Sequence, residues 1–142
     1  MNYLAHVYLS GEDSELMIGN FIADAVKGKQ FTTFPEGIQK GIQLHRAIDS
    51  YTDTHDVTRE SRGRLYDDYR HYSGVIVDIF YDHFLASHWQ QFHELDLGVY
   101  TEQVYATLNE FGPILPSRIE HMLTYMIPQN WLLNYREMDG IE

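Results

Sequence analysis

Three segments of this 142-residue chain each carry two polar residues four positions apart within an otherwise apolar stretch. Positions i and i+4 project from the same face of a helix, so each pair marks one helix face. Ionised carboxylates are rarely buried unless they are paired or bind a metal. We therefore predict that packed helices bring these faces together in one inward-facing site. The pairs are Asn20 with Asp24, His45 with Asp49, and Asp78 with Asp82.

Apolar residues recur at helical spacing along the whole sequence, and alternating strand patterns are absent from it. This periodicity predicts an all-α fold, a single helical domain of about eight helices over residues 1–142, with a metal site between helices. Segment 2–9 is too short to classify by its period. The predicted helices beyond it are 14–27, 36–52, 56–70, 74–92, 101–111, 117–127 and one that begins near residue 129.

Two of these segments carry a further expectation. Helix 74–92 is apolar almost all round, which is typical of a helix that is buried on every side. Helical sequence also continues to residue 142 without a stop signal, and we interpret that end as a cut rather than a natural terminus.

Composition removes several classes of function. The chain has no cysteine, which excludes thiolate metal sites and fits a reducing cytoplasm. A net charge of −11 argues against non-specific binding to nucleic acid, and no apolar run approaches the roughly 20 residues of a membrane span. Phosphate-binding loops, dinucleotide fingerprints and nucleophile motifs are absent from the sequence. Water activated by a metal is therefore the favoured nucleophile.

Histidine and carboxylate side chains are the ligands expected for a hard or borderline divalent cation. His83 lies about 100° around its helix from the neighbouring aspartate, so it could join the site only from its edge. Two alternatives stay open: Asp78 and Asp82 could be capped or salt-bridged core residues, and the His45–Asp49 pair could be exposed. The candidate ligands are His6, Asp24, His45, Asp49, Asp82 and His83.

Three further residues are candidates for catalysis. A carboxylate not fully used by the metal, Asp78 or Asp53, could accept a proton from water. Arg46 lies beside the proposed ligands, where a guanidinium suits an anionic substrate such as a phosphate. The alternative is an ordinary surface arginine.

Four arginines fall within one twelve-residue stretch of an otherwise acidic chain: Arg59, Arg62, Arg64 and Arg70. Such a segment could dock an acidic partner. The competing interpretation is salt bridging on a helix surface with the neighbouring acidic residues Glu60, Asp67 and Asp68.

Five segments together resemble the acyl carrier protein phosphodiesterases. They are Asn2–His6 (NYLAH), Gly19–Asp24 (GNFIAD), Leu44–Asp49 (LHRAID) with the later Thr52 and Asp53, Asp78–Trp89 (DIFYDHFLASHW) and Trp131–Asp139 (WLLNYREMD). The matches are short, but they occur in order and span nearly the whole chain.

The resemblance implies an HD-domain-like fold related to the HD-type metal phosphohydrolases. It implies manganese-dependent hydrolysis of the phosphodiester that joins 4'-phosphopantetheine to the serine of holo-acyl carrier protein, an acidic substrate protein, in the cytoplasm. Members of the family extend further at the C-terminus, so we expect this chain to lack the family's C-terminal helices. Two alternatives remain: an HD-type phosphohydrolase of a nucleotide or small phosphate ester, and a non-catalytic helical module that binds the carrier protein.

Overall fold

The computed structural model describes residues 2–137, which form α-helices joined by short 3₁₀ turns and contain no strand. This architecture confirms the all-α prediction. The last two residues of the fifth resemblance segment, Met138 and Asp139, lie outside the described residues, as do the ends of the predicted domain. The helices are α1 (Tyr3–Leu9), α2 (Ser14–Ile22), α3 (Glu36–Thr54), α4 (Asp56–Tyr69), α5 (Ser73–Ser87), α6 (Leu97–Glu110), α7 (Ser117–Gln129) and α8 (Trp131–Asn134).

Helices α2 and α3 cross with their backbones in direct contact. A Cβ atom added to Gly19 would overlap the carbonyl oxygen of Ile38, and one added to Gly41 would overlap the carbonyl oxygen of Leu16. Only glycine leaves room for this approach. The crossing brings the two polar faces that begin at Asn20 and His45 against each other.

A buried apolar core holds α1 and the later helices around this crossing. Leu4, Ile18 and Ile42 are fully buried in it, together with Leu108 of α6 and Met126 of α7. Because these residues come from five different helices, the core fixes the orientation of the elements that carry the polar faces.

Three helix boundaries differ from the sequence prediction by about four residues or more. Helix α2 ends at Ile22 rather than near residue 27, and a tighter 3₁₀ turn, Ala23–Ala25, follows it. Helix α5 ends at Ser87 rather than near residue 92. Helix α6 begins at Leu97 rather than near 101, because the Asp96 side chain accepts a hydrogen bond from the Gly98 N–H and caps that end.

The prediction that helix 74–92 is buried on every side is wrong. Val75 is 55% exposed and Phe84 is 54% exposed. Helix α5 packs mainly against α1 and α4, and Val75 and Phe84 lie on its exposed side. Within residues 2–137, no helix has both the length and the apolar character that a membrane crossing requires.

Candidate metal centre

Two histidines and an aspartate lie in contact with one another, His6 on α1 and the pair His45 and Asp49 on α3. The Nε2 atom of His6, on α1, lies 3.0 Å from Oδ1 of Asp49, and the Nε2 atom of His45 lies 3.0 Å from Oδ2 of the same carboxylate. The two imidazole rings are stacked with centroids 3.8 Å apart. The potential ligand atoms of the three residues all lie within 4.8 Å of one another. Asp49 is half-buried, whereas both histidines are buried.

Asp24 completes this group from the 3₁₀ turn that follows α2. Its Oδ1 atom lies 3.2 Å from Nε2 of His45. The change from α-helix to 3₁₀ turn repositions Asp24 relative to Asn20, which remains in α2 and is fully buried. The structure therefore brings together four of the six candidate ligands: His6, Asp24, His45 and Asp49. We call these four residues the cluster.

A hydrogen bond to Asn20 fixes the orientation of His45. The backbone carbonyl oxygen of Asn20 lies 2.8 Å from Nδ1 of His45, and a carbonyl can only accept, so Nδ1 carries the hydrogen. The Asn20 side chain also ties α2 to α1, because its amide donates to the carbonyl of His6 and to the hydroxyl of Ser10, each at 2.9 Å. Asn20 thereby positions both histidines of the cluster.

The Nε2 atom of His45 fits a bound cation. In the neutral imidazole this atom carries a lone pair, and it faces carboxylate oxygens of Asp24 and Asp49. It is buried and makes no hydrogen bond of good geometry with either of them. A lone pair between two carboxylates is favourable only when a proton or a cation lies among them. Imidazole nitrogen and carboxylate oxygen are also donors that divalent cations accept.

The pKa values of the cluster reflect the same arrangement. Burial lowers the pKa of His45, but the adjacent Asp24 and Asp49 outweigh burial and raise that pKa to about 9. The neighbouring His45 lowers the pKa of Asp24. Burial raises the pKa of Asp49, but the two histidines beside it outweigh burial and lower it well below the usual range. Both carboxylates are thus held in the charged form that binds cations.

Asp82 makes the contacts of a helix cap, the alternative to metal binding that the sequence analysis had left open. Its Oδ2 atom accepts a hydrogen bond from the Leu4 N–H at 2.8 Å, and its Oδ1 atom accepts from the Asn2 and Ala5 N–H groups at 3.2 Å each. These are the unpaired donors at the start of α1, and a carboxylate is favourable there. The Asp82 side chain is therefore a buried helix cap. It is not among the three residues whose potential ligand atoms all lie within 4.8 Å of one another.

His83 and Arg46 likewise make contacts that differ from their predicted roles. The Nδ1–H of His83 donates to the carbonyl of Tyr135 at 2.7 Å, so this ring faces the C-terminal helix α8 rather than the cluster. The guanidinium of Arg46 donates to the carbonyls of Val26 and Gly28 and lies over the ring of Phe31. Arg46 therefore holds the segment that follows Asp24.

The two remaining candidate catalytic carboxylates are close in space. Burial raises the pKa of Asp78, and the charges of Asp53 and Asp49 raise it further. Asp78 is therefore within electrostatic range of both carboxylates. Asp53 pairs with Arg62, whose Nη2 atom lies 2.7 Å from Oδ1 of the carboxylate.

Sequence reasoning noticed Asn20 only as one half of a polar pair and did not consider its hydrogen-bonding role. A sequence signal was present, because Gly19 beside Asn20 and Gly41 four residues before His45 mark a close approach of two helices.

Comparisons with known proteins identify the family of this chain. A family model described as acyl carrier protein phosphodiesterase matches residues 1–142. The chain belongs to that family. The segments that carried the resemblance supply His6, Asn20, Asp24 and the His45–Asp49 pair of the cluster, and they also supply the Asp82 cap.

Three family members show how far the similarity extends, and each is named acyl carrier protein phosphodiesterase. The proteins from Serratia proteamaculans and Yersinia pestis are each 33% identical over 142 residues, which cover 99% of this chain and 74% of the relative. The protein from Salmonella paratyphi A is 33% identical over 143 residues, with 100% and 74% coverage. No solved structure matched the chain, and the HD-type relationship stays a prediction.

Proposed function

We propose that the protein hydrolyses the phosphodiester that joins 4'-phosphopantetheine to a serine of holo-acyl carrier protein, giving apo-carrier protein. Membership of the family over the whole chain supports this reaction. The observation that carries the proposal is the donor set around His45, whose Nε2 atom lies 3.2 Å from Oδ1 of Asp24 and 3.0 Å from Oδ2 of Asp49, since imidazole nitrogen and carboxylate oxygens suit a divalent cation. A phosphodiester needs such a charge to stabilise its transition state.

We further propose that His6, Asp24, His45 and Asp49 hold a divalent cation, and that the cation is Mn²⁺. When bound, it would supply Lewis acidity that polarises a phosphoryl oxygen and lowers the pKa of water. The residues around the cation would hold its ligands in position. The carbonyl of Asn20 holds the hydrogen of His45 on Nδ1, so that Nε2 is available to a ligand.

Asp78 is the proposed acceptor of the water proton. A carboxylate accepts protons best when its pKa is raised towards the working pH, and burial raises the pKa of Asp78. Asp53, which forms an ion pair with Arg62, is the second candidate. The hydrogen bonds of Arg46 to two carbonyls favour a positioning role for it over direct contact with phosphate.

The test is whether the protein removes the prosthetic group from purified holo-carrier protein. Intact-mass spectrometry would measure the fraction of carrier protein converted to the apo form. We expect conversion to the apo form when Mn²⁺ is added and none when chelator is present. A panel of nucleotides and small phosphate esters should be turned over far more slowly. Faster turnover of a nucleotide would support the phosphohydrolase alternative, and carrier-protein binding without any turnover would support the non-catalytic one.

A cytoplasmic location remains part of the proposal. The lack of cysteine in the sequence fits a reducing compartment. Fractionation of cells that express the protein at its native level would test it, and recovery from the periplasm would contradict it.

A further inference from the structure

Helix α4 separates its charges onto different stripes. With about 100° between successive residues, Arg59, Arg62 and Tyr66 fall on one stripe of the helix. The acidic residues Glu60 and Asp67 fall on another stripe. A positive strip therefore exists on a chain whose net charge is −11.

Two of the four clustered arginines have their charge compensated inside the chain. Arg62 pairs with Asp53 at 2.7 Å, and Arg64 pairs with Glu60 at 2.7 Å. Arg59 and Arg70 are exposed and form no ion pair with any residue in 2–137. The sequence analysis did not distinguish the four arginines from one another. In the structure, Arg59 and Arg70 are the two whose charges remain available to a partner.

Exposed aromatic residues surround Arg70 where α4 turns back into α5. Tyr66 is 51% exposed, Tyr69 is 50% exposed and Tyr72 is 72% exposed. Tyrosine and arginine are the residues most enriched where protein interfaces bind tightly. Arg59 lies on the same stripe of α4 as Tyr66 but near the start of the helix, about three turns from Arg70. We call the whole set the hairpin-tip surface: Arg59, Tyr66, Tyr69, Arg70 and Tyr72.

The backbone conformation of Arg70 is a further indication that this surface has a function. Its φ angle is +49°, which lies in the region that residues other than glycine adopt uncommonly. Strained backbone of this kind concentrates at functional sites, because the surrounding structure must hold it in place.

A groove lies between the hairpin-tip surface and Asp78 on α5. It has a volume of ≈ 510 Å³, and Arg62, Tyr66 and Arg70 form one wall of it. Gly74 of α5 lies against the guanidinium of Arg62, since a Cβ added there would lie 3.4 Å from that group. The groove reaches Asp78, the proposed acceptor of the water proton.

We propose that the hairpin-tip surface docks an acidic face of the carrier protein and that the groove leads the prosthetic arm to Asp78. This inference rests on the proposed function, which names that partner. Two proteins of like charge repel at long range, so their encounter requires a local positive patch. The tyrosines add apolar contact area around the arginines, and Arg70 lies at the entrance of the groove.

Binding of apo-carrier protein tests this proposal without any turnover. Anisotropy of a fluorescently labelled apo-carrier protein would give Kd values for the wild type and its variants. The double variant R59E/R70E should raise Kd by about tenfold or more, because interface arginines commonly contribute over 1 kcal/mol each. The matched control K27E/K29E reverses two exposed charges in another part of the chain and should bind like the wild type.

A second pair of variants separates aromatic contact from charge. Tyr72→Ala and Tyr69→Ala should each weaken binding several-fold, whereas Tyr125→Ala should not, although Tyr125 is 51% exposed, close to the 50% of Tyr69. Circular dichroism would confirm that every variant is folded.

Three outcomes would overturn the docking proposal: no binding of apo-carrier protein to the wild type, equal weakening in both charge-reversal variants, or stronger weakening in K27E/K29E. Failure of the proposed function is a separate result. If binding depends on the hairpin-tip surface but the prosthetic group is not released, docking stands and the hydrolysis is refuted.

Discussion

The substitution Gly19→Ala tests whether the crossing of α2 and α3 builds the metal centre. A Cβ at this position would overlap the Ile38 carbonyl and would lie 2.8 Å from the Gly41 Cα and the Ile42 nitrogen. These are backbone atoms that no rotamer change can move. The residue that follows is Asn20, whose carbonyl orients His45. Separation of the helices should therefore affect both stability and metal binding.

The magnitude follows from two opposing terms. Alanine is favoured over glycine inside a helix by about 1 kcal/mol. Overpacking a tight contact costs about 1–3 kcal/mol, and more where the backbone itself must shift. With several backbone overlaps at one position, we expect a net loss of about 2 kcal/mol or more in the free energy of unfolding.

Gly63→Ala is the matched control, because nothing lies within 4 Å of a Cβ added at that helical glycine. It should leave stability unchanged or raise it by up to about 1 kcal/mol. Urea denaturation of the metal-free proteins, followed by circular dichroism, measures both changes. Gly19→Ala should also weaken metal affinity, measured by calorimetry. If Gly19→Ala is as stable as Gly63→Ala, the proposed helix crossing is wrong.

Three further results are expected. Asp82→Ala should lower the free energy of unfolding by about 2–4 kcal/mol, because it leaves buried N–H donors of α1 unpaired. The variant should still bind metal at saturating concentration. Loss of metal binding with unchanged stability would instead support a ligand role for Asp82. Asp78→Asn should reduce kcat by about 10²-fold or more with metal content intact, and unchanged kcat would remove Asp78 as the proton acceptor. In the metal-free protein, the raised pKa of His45 contributes stability that is full below its unfolded pKa near 6.5 and is lost as the pH rises through about 9. Denaturation midpoints should fall across that window in the wild type but not in His45→Gln.

The sequence was sufficient to predict the polar faces of the helices, because helical spacing determines which residues share a face. It identified His45 with Asp49, and it identified His6 and Asp24 as their companions. The structure brings these four side chains together. The all-α fold followed from the same periodicity.

Which neighbour each face would meet could not be read from the spacing. Asp82 shares the face of Asp78, but the start of α1 packs there and takes up both of its oxygens. A burial pattern cannot distinguish a carboxylate that caps a helix from one that binds a metal, since both are buried and paired. The exposed side of α5 was missed for a similar reason, because an apolar sequence does not show how many helices pack around it.

The sequence also could not show which charged residues form ion pairs with one another. The four arginines were predicted to act together, but the nearest acidic partners in space decide which of them remain available. Asp53 lies on α3, nine residues from Arg62 in sequence, and no helix-surface spacing rule connects them. Arg64 with Glu60 follows the i, i+4 rule and matches the salt-bridging interpretation.

The measurement that tests the central claim most directly is metal content together with carrier-protein turnover in the wild type and in Asp49→Asn. Asp49 contacts both histidines, and asparagine has nearly the same shape but lacks the charge that holds a cation. After dialysis against Mn²⁺, the wild type should retain bound metal by elemental analysis and should release the prosthetic group from holo-carrier protein. Asp49→Asn should lose both properties while remaining folded. Full turnover by the wild type after complete removal of metal, or by Asp49→Asn without bound metal, would contradict the account.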